Sequence, residues 1–248
     1  MPGARRFGRY GSLVRKVELY YWSGIQGRGE FVRLVLEDLG LPYRDVARES
    51  DDGDEAIEKA LAGVLAPYAF AVPALRDGEL IIPQTVAITR YLGERHGLAP
   101  ADERGRLLAH AVALTIADLV AEVHDTHHPL SVVDYFEDQK PAARARAKAF
   151  REHRLPKFLA YLEGMLGRDP FLFGDRASYA DLAAFQVVEG LTFAFPRAMA
   201  RHRDDIPRLL ALRDRIAERP RLATYLASAR RLPFNEWGIF RHYPELDR

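Results

Sequence analysis

Strand signals stop near residue 100. Beyond Pro100-Ala101-Asp102 nothing reads as a strand, so the chain is limited to a small α/β unit followed by an all-helical one. Ahead of that point, Val17 to Trp22 is an apolar, aromatic run of strand length, followed by a turn over Gly24–Gly29. Phe31-Val32-Arg33-Leu34-Val35-Leu36 has helical spacing and stops at Gly40. Pro42 to Val46 reads as a second strand, 49–55 as an acidic loop and Ala56–Ala62 as a short helix. Val72-Pro73-Ala74-Leu75, the turn Asp77-Gly78 and Leu80-Ile81-Ile82 form a β-hairpin pattern, and Thr85 to Glu94 a closing helix. After it, residues 104–127, 141–167, 178–193, 206–218 and 220–231 carry helical apolar spacing. Pro156 should kink the second of these. Ser178 with Asp181 three residues on is a helix-start signature. The expected division is 1–15 as a disordered extension, 16–97 as the α/β domain and 104–248 as the helical domain with a tail.

Composition removes several function classes. The 248 residues hold 36 Lys+Arg against 35 Asp+Glu, a net charge of +1, which argues against nucleic acid as a partner. No uninterrupted apolar run approaches the ~20 residues that span a bilayer, so no membrane partner is expected. There is no cysteine. A disulfide framework, a thiolate metal site and a cysteine nucleophile are thereby excluded, and any sulfur chemistry must act on a thiol brought in by a ligand. The basic start, with Arg5, Arg6, Arg9 and Arg15, lacks the apolar stretch of a secretory signal, and a cytoplasmic location is expected.

Three ordered segments carry a resemblance. Tyr21-Trp22 … Gly27-Arg28 … Val32-Arg33-Leu34-Val35-Leu36 resembles the first strand and helix of cytosolic glutathione transferases of the tyrosine type (sigma, mu and pi). Val72-Pro73-Ala74-Leu75 with Gln84-Thr85-Val86-Ala87-Ile88 resembles their glutathione-binding stretch. Gly174-Asp-Arg-Ala-Ser178-Tyr-Ala-Asp181 resembles the capping segment of their helical domain. The resemblance covers about 16–231 and implies an α/β thioredoxin-like N-terminal domain before an all-α C-terminal domain. It further implies glutathione as co-substrate, a small hydrophobic electrophile as second substrate, a role in detoxification, and a homodimer in which the thioredoxin-like domain of one subunit faces the first long helices of the other. A glutathione-dependent isomerase or peroxidase, or a non-catalytic binding or structural protein, are the alternatives on the same scaffold.

The site residues follow from the matching positions. A cis-proline at Pro73 would turn the Val72 backbone toward a ligand, where it would pair with the cysteinyl backbone of glutathione. An edge-strand proline is the simpler reading. Gln84 and Thr85 open a helix, where free N–H groups favour the γ-glutamyl carboxylate; a plain helix cap uses the same residues. A free thiol has a pKa near ~8.5, and a hydroxyl donor set against the sulfur would stabilise the thiolate. Tyr21 matches the family's tyrosine if the loop near Ser23-Gly24 holds one extra residue; Ser23 is the alternative, and a core aromatic would look the same as Tyr21. Ala71 stands where the nearest branch has glutamine, and Lys59 or Arg44 are the available cations for the glycyl carboxylate. Asp118, or Glu122 one turn on, would reach the γ-glutamyl amine across the dimer. No metal site is assigned. The patch His124-Asp125-Thr126-His127-His128-Pro129 reads as a helix end whose histidines meet terminal carbonyls, as a wall of the electrophile pocket, or as a metal-binding face. The aromatic tail Phe234–Phe240 should pack back on the body.

Overall fold

The computed structural model describes residues 16–248, and the extension expected over 1–15 lies outside the described residues. In chain order the elements are β1 (Val17–Tyr20), α1 (Gly29–Leu39), β2 (Tyr43–Asp45), α2 (Val46–Glu49), α3 (Glu55–Ala62), β3 (Ala74–Asp77), β4 (Leu80–Pro83) and α4 (Thr85–His96). Helices follow: α5 (Glu103–Asp125), α6 (Lys140–Ala149), α7 (Leu155–Leu166), α8 (Tyr179–Ala194), α9 (Pro196–Arg201), α10 (Pro207–Ala217) and α11 (Pro220–Leu226). The sheet order is β2-β1-β3-β4, with β1 parallel to β2 and antiparallel to β3. This is a thioredoxin-like mixed sheet with helices, followed by an all-helical domain.

Alternation along the strands sorts the two faces. Val17 and Leu19 of β1 and Leu75 of β3 join the main core beneath α1 and α4. Tyr20 and Ala74, one residue out of phase, join a smaller core with Ile57 and Ala60 of α3. Helix α1 is buried on almost every side because it meets α4 beside the sheet and α8 and α11 beyond it. The main core is therefore continuous from β1 through α8 to Phe240 and Leu246 near the C-terminus.

Several local details differ from expectation. The stretch expected as one helix over 141–167 is broken by a π-helical segment, Phe150–Arg154, immediately before the Leu155-Pro156 start of α7; Pro156 has no N–H to continue the ladder. Helix α11 stops at Leu226 and not near 231, since Arg230 and Arg231 turn back onto α1. Short helices α2 and α9 carry too few residues to show periodicity. Helix α5, 23 residues long, is long and apolar enough on average to cross a bilayer, although His110, Asp118 and Glu122 interrupt its apolar residues. In this fold it packs against α4, α6 and α8.

Candidate active site

Two segments of the thioredoxin-like domain meet the helical domain at a cleft: the start of α1 after the β1 loop, and the junction of β4 with α4. The small cleft lies between the start of α1, the start of α4 and α5, lined among others by Arg28, Phe31, Thr85, Thr89, Ile116 and Val120. Its walls are mostly apolar, with Arg28 as a cation and Thr85 and Thr89 as hydroxyls.

The β4–α4 junction is shaped for a ligand. Gln84, exposed at the N-cap of α4, has φ +71°, the one non-glycine at positive φ among the described residues. Such a conformation costs on the order of 1–3 kcal/mol and is concentrated at ligand clamps. Beside it, the Thr85 hydroxyl is buried with no protein partner. A buried hydroxyl left unpaired costs ~1–3 kcal/mol, which a bound acceptor would remove. The first N–H groups of α4 lie at the same point. The Val72–Pro73 bond is cis, and the β3 ladder begins only at Ala74, so the Val72 backbone stands outside the sheet pairing. Its side chain packs with Trp22 on the smaller core.

Tyr21 follows β1 directly and is 4% exposed. Its hydroxyl accepts a hydrogen bond from the Arg28 N–H at 2.8 Å, and Arg33 lies 5.7 Å from its ring centre. Gly27 and Gly29 pack against this ring so closely that any Cβ there would stand within 2.1–2.4 Å of it, which fixes glycine at both positions. Burial pushes the hydroxyl above the ordinary phenol range, opposed by the Arg28 N–H and the charges of Arg28 and Arg33. Tyr21 thus stays a neutral phenol at neutral pH and keeps its own proton for donation. Ser23, half-buried, donates its N–H to Asp54 at 2.7 Å, tying this loop to the start of α3.

None of the remaining sequence-predicted residues lines the cleft. Lys59 is exposed and pairs with Asp52 at 2.8 Å and Glu55 at 3.6 Å. Arg44 pairs with Glu18. Asp118 is exposed on α5, whereas Glu122 is held by Arg154 at 2.6 Å within the same chain.

Sequence reading missed a buried polar network behind the loop. Glu30 and Arg33 are fully buried; Glu30 accepts from Tyr225 at 2.7 Å and Arg231 at 2.5 Å, and Arg33 donates to Asp45 at 2.6 Å. Arg231 also reaches Gln186, which donates to Gln26 at 2.8 Å. The only local hint was a carboxylate three residues before an arginine inside an apolar run.

Of the three readings of the histidine patch, the helix-end one receives no support from His127 and His128. Their ring nitrogens bond elsewhere than to the last carbonyls of the helix: His127 Nε2 donates to the Ile239 carbonyl in the tail at 2.8 Å, and His127 and His128 meet through their Nδ1 atoms. Burial pushes His124 down to about 4, with His128 and Arg28 adding, and pushes His127 and His128 down as well. The tail does pack back: Phe240 stacks into the space above Gly190, Asn235 donates to Gly24, and Asp247 accepts from the Arg197 and Ala198 N–H groups at the start of α9.

Comparison with known proteins assigns both halves to one family. The model of the glutathione S-transferase N-terminal domain matches residues 17–94, and that of the C-terminal domain matches 124–229. A glutathione S-transferase of Plasmodium falciparum is 26% identical over 221 residues, covering 86% of this chain and 95% of its own. Glutathione S-transferase Mu 3 of Mus musculus is 29% identical over 235 residues, covering 89% and 97%. The solved structure of the Onchocerca volvulus pi-class glutathione S-transferase superposes with a TM-score of 0.69 at 24% identity, covering 89% of this chain and 97% of that one. With both domain models of one family matched in order, and relatives aligned along nearly their full length, the chain belongs to the glutathione S-transferase family of enzymes.

Proposed function

We propose that the chain binds glutathione between the Val72–Pro73 turn and the start of α4, and activates its thiol as a thiolate that attacks a small hydrophobic electrophile held in the cleft against α5, joining the whole tripeptide to it through sulfur. The observation that carries this reading is the pair Gln84–Thr85: a strained, exposed residue beside a buried hydroxyl without a partner, at a helix start. The γ-glutamyl carboxylate would accept from the Thr85 hydroxyl and N–H, and the cysteinyl backbone would pair with Val72, as an added strand does. The thiol would then lie toward the loop after β1, where the Tyr21 hydroxyl, keeping its proton, donates a hydrogen bond to the thiolate and so lowers the thiol's pKa. Arg28 adds positive charge on the cleft wall. Lys59, freed from Asp52, is the candidate for the glycyl carboxylate. Calorimetric titration with glutathione, followed by a conjugation assay with an aryl halide, tests both halves of the reading. No heat at millimolar glutathione would remove the co-substrate; binding without turnover would leave a carrier.

That carrier reading is favoured by one observation: Tyr21 is nearly inaccessible and its hydroxyl is already bonded to the Arg28 N–H. Ser23, on the same loop and less buried, is the alternative donor if turnover survives loss of the phenol.

A homodimer belongs to the same proposal. Helix α5 leaves Leu107 and Leu114, at 61% and 47% exposed, together with Asp118 and several alanines on its open face. Phe70, before the cis turn, is 97% exposed. Apolar surface of this kind is what a second copy would cover, and Asp118 would then face the partner's side of the interface.

A further inference from the structure

At the C-terminal end of α5, three histidines from one short segment converge. One nitrogen of each of His124, His127 and His128 lies within 4.8 Å of the corresponding atoms of the other two. The His124 and His128 rings stack at 5.0 Å, and His127 stands nearly perpendicular to His128 at 4.7 Å.

Their hydrogen bonds set the protons. The Ile239 carbonyl can only accept, so His127 carries its proton on Nε2. Its Nδ1 is then a lone pair, and it points at His128 Nδ1 2.5 Å away. Without a cation, His128 must spend its Nδ1–H on that contact. His124 makes no side-chain hydrogen bond among the described residues. The arrangement spends three rings on two hydrogen bonds, while it holds one ring by the device that orients metal-bound imidazoles: the far N–H anchored on a backbone carbonyl.

We propose that His124, His127 and His128 form a three-histidine site for a borderline divalent metal ion, zinc in particular. Imidazole suits zinc, copper and nickel and not magnesium or calcium, which take oxygen. Tetrahedral coordination at about 2.0–2.1 Å per ligand fits three nitrogens and leaves one position open to water. To bind, the His127 and His128 Nδ1 atoms spread and His124 swings in, each by rotation of a side chain. The His128 proton moves to Nε2, so neutral ligands bind with no net proton release. The charged groups that face the three rings are Arg28 toward His124, Arg241, anchored on the Gly238 and Trp237 carbonyls, and Glu137 beside His128. Through the His127–Ile239 bond the metal would join α5 to the C-terminal tail, which itself reaches the loop after β1 through Asn235 and Gly24.

The test uses the full chain, free of any histidine tag and treated with chelator. Titration with Co2+ should give the visible bands of tetrahedral cobalt at one equivalent, bleached by Zn2+. His124→Gln and His128→Gln should each weaken binding by at least about tenfold, since even residues that only support a ligand are worth 10- to 100-fold. Zinc should raise the melting temperature of the parent protein and not of the double variant. His124→Gln changes the least buried ring, so its fold should survive, and its circular dichroism checks this. Binding of cobalt that both variants retain, or no tetrahedral signal up to millimolar metal, overturns the proposal. So does a stoichiometry well below one.

Discussion

Tyr21 occupies a position where a packing role and a chemical one overlap. Its ring fills the space above Gly27 and Gly29, and its oxygen caps the Arg28 N–H. Tyr21→Phe keeps the ring and should lower the conjugation rate by ten- to a hundred-fold, the worth of a hydrogen bond to a charged group at ~1.5–3 kcal/mol. The sign in pH follows: the donor lowers the thiol's pKa, so without it the rate should turn on at higher pH. An unchanged rate–pH profile would move the role to Ser23. Thr85→Val should weaken glutathione binding by roughly 1–3 kcal/mol in calorimetry with an unchanged fold, because the hydroxyl has no protein bond to lose. Glu30→Ala acts on stability alone. It strips a fully buried carboxylate from Tyr225, Arg231 and Arg33, and should cost about 3–5 kcal/mol in denaturant unfolding. These residues differ in how far the sequence shows them. Pro73, Gln84 and Thr85 are local features of a turn and a helix start, readable from a few neighbours. Glu30 meets a tyrosine 195 positions away, and no local pattern announces that.

Among the elements, α8 shows how a helix start can be read and what it is worth. Ser178 and Asp181 form the expected capping box, and Asp181 in addition accepts the Leu172 N–H at 2.7 Å, so one carboxylate closes the preceding loop as well. Asp181→Ala would leave buried N–H groups at Leu172 and Ser178 without acceptors. A loss of about 3 kcal/mol is expected, measured as a fall in melting temperature, with glutathione affinity retained in the folded fraction. The long helices were legible because their apolar spacing persists over several turns. The π segment before Pro156 was half legible: the proline marks the break, but not the form it takes. The early end of α11 was hidden, since it depends on where Arg230 and Arg231 find Glu37 and Glu30.

For the whole molecule, the division into sheet and helices could be read from the strand signals alone, whereas the joint between the halves could not. The exposed face of α5 leads to a specific expectation: Leu114→Glu should convert a dimer to a folded 28 kDa monomer in analytical ultracentrifugation, with unchanged circular dichroism. A parent protein already monomeric at micromolar concentration would refute the dimer outright. The joint itself is made of shared interior. Side chains of β1, α1, α4, α5 and α8 form one core, and Arg219 grips Asp38 across it at 2.6 Å. Two halves joined in this way are poor material for shuffling. A recombination between relatives at residues 97–103 would exchange not a module but half of an interior, setting one parent's α1 against another's α8 and α11. Chimeras made at the linker should regain stability only when α8 and α11 are carried over with α1.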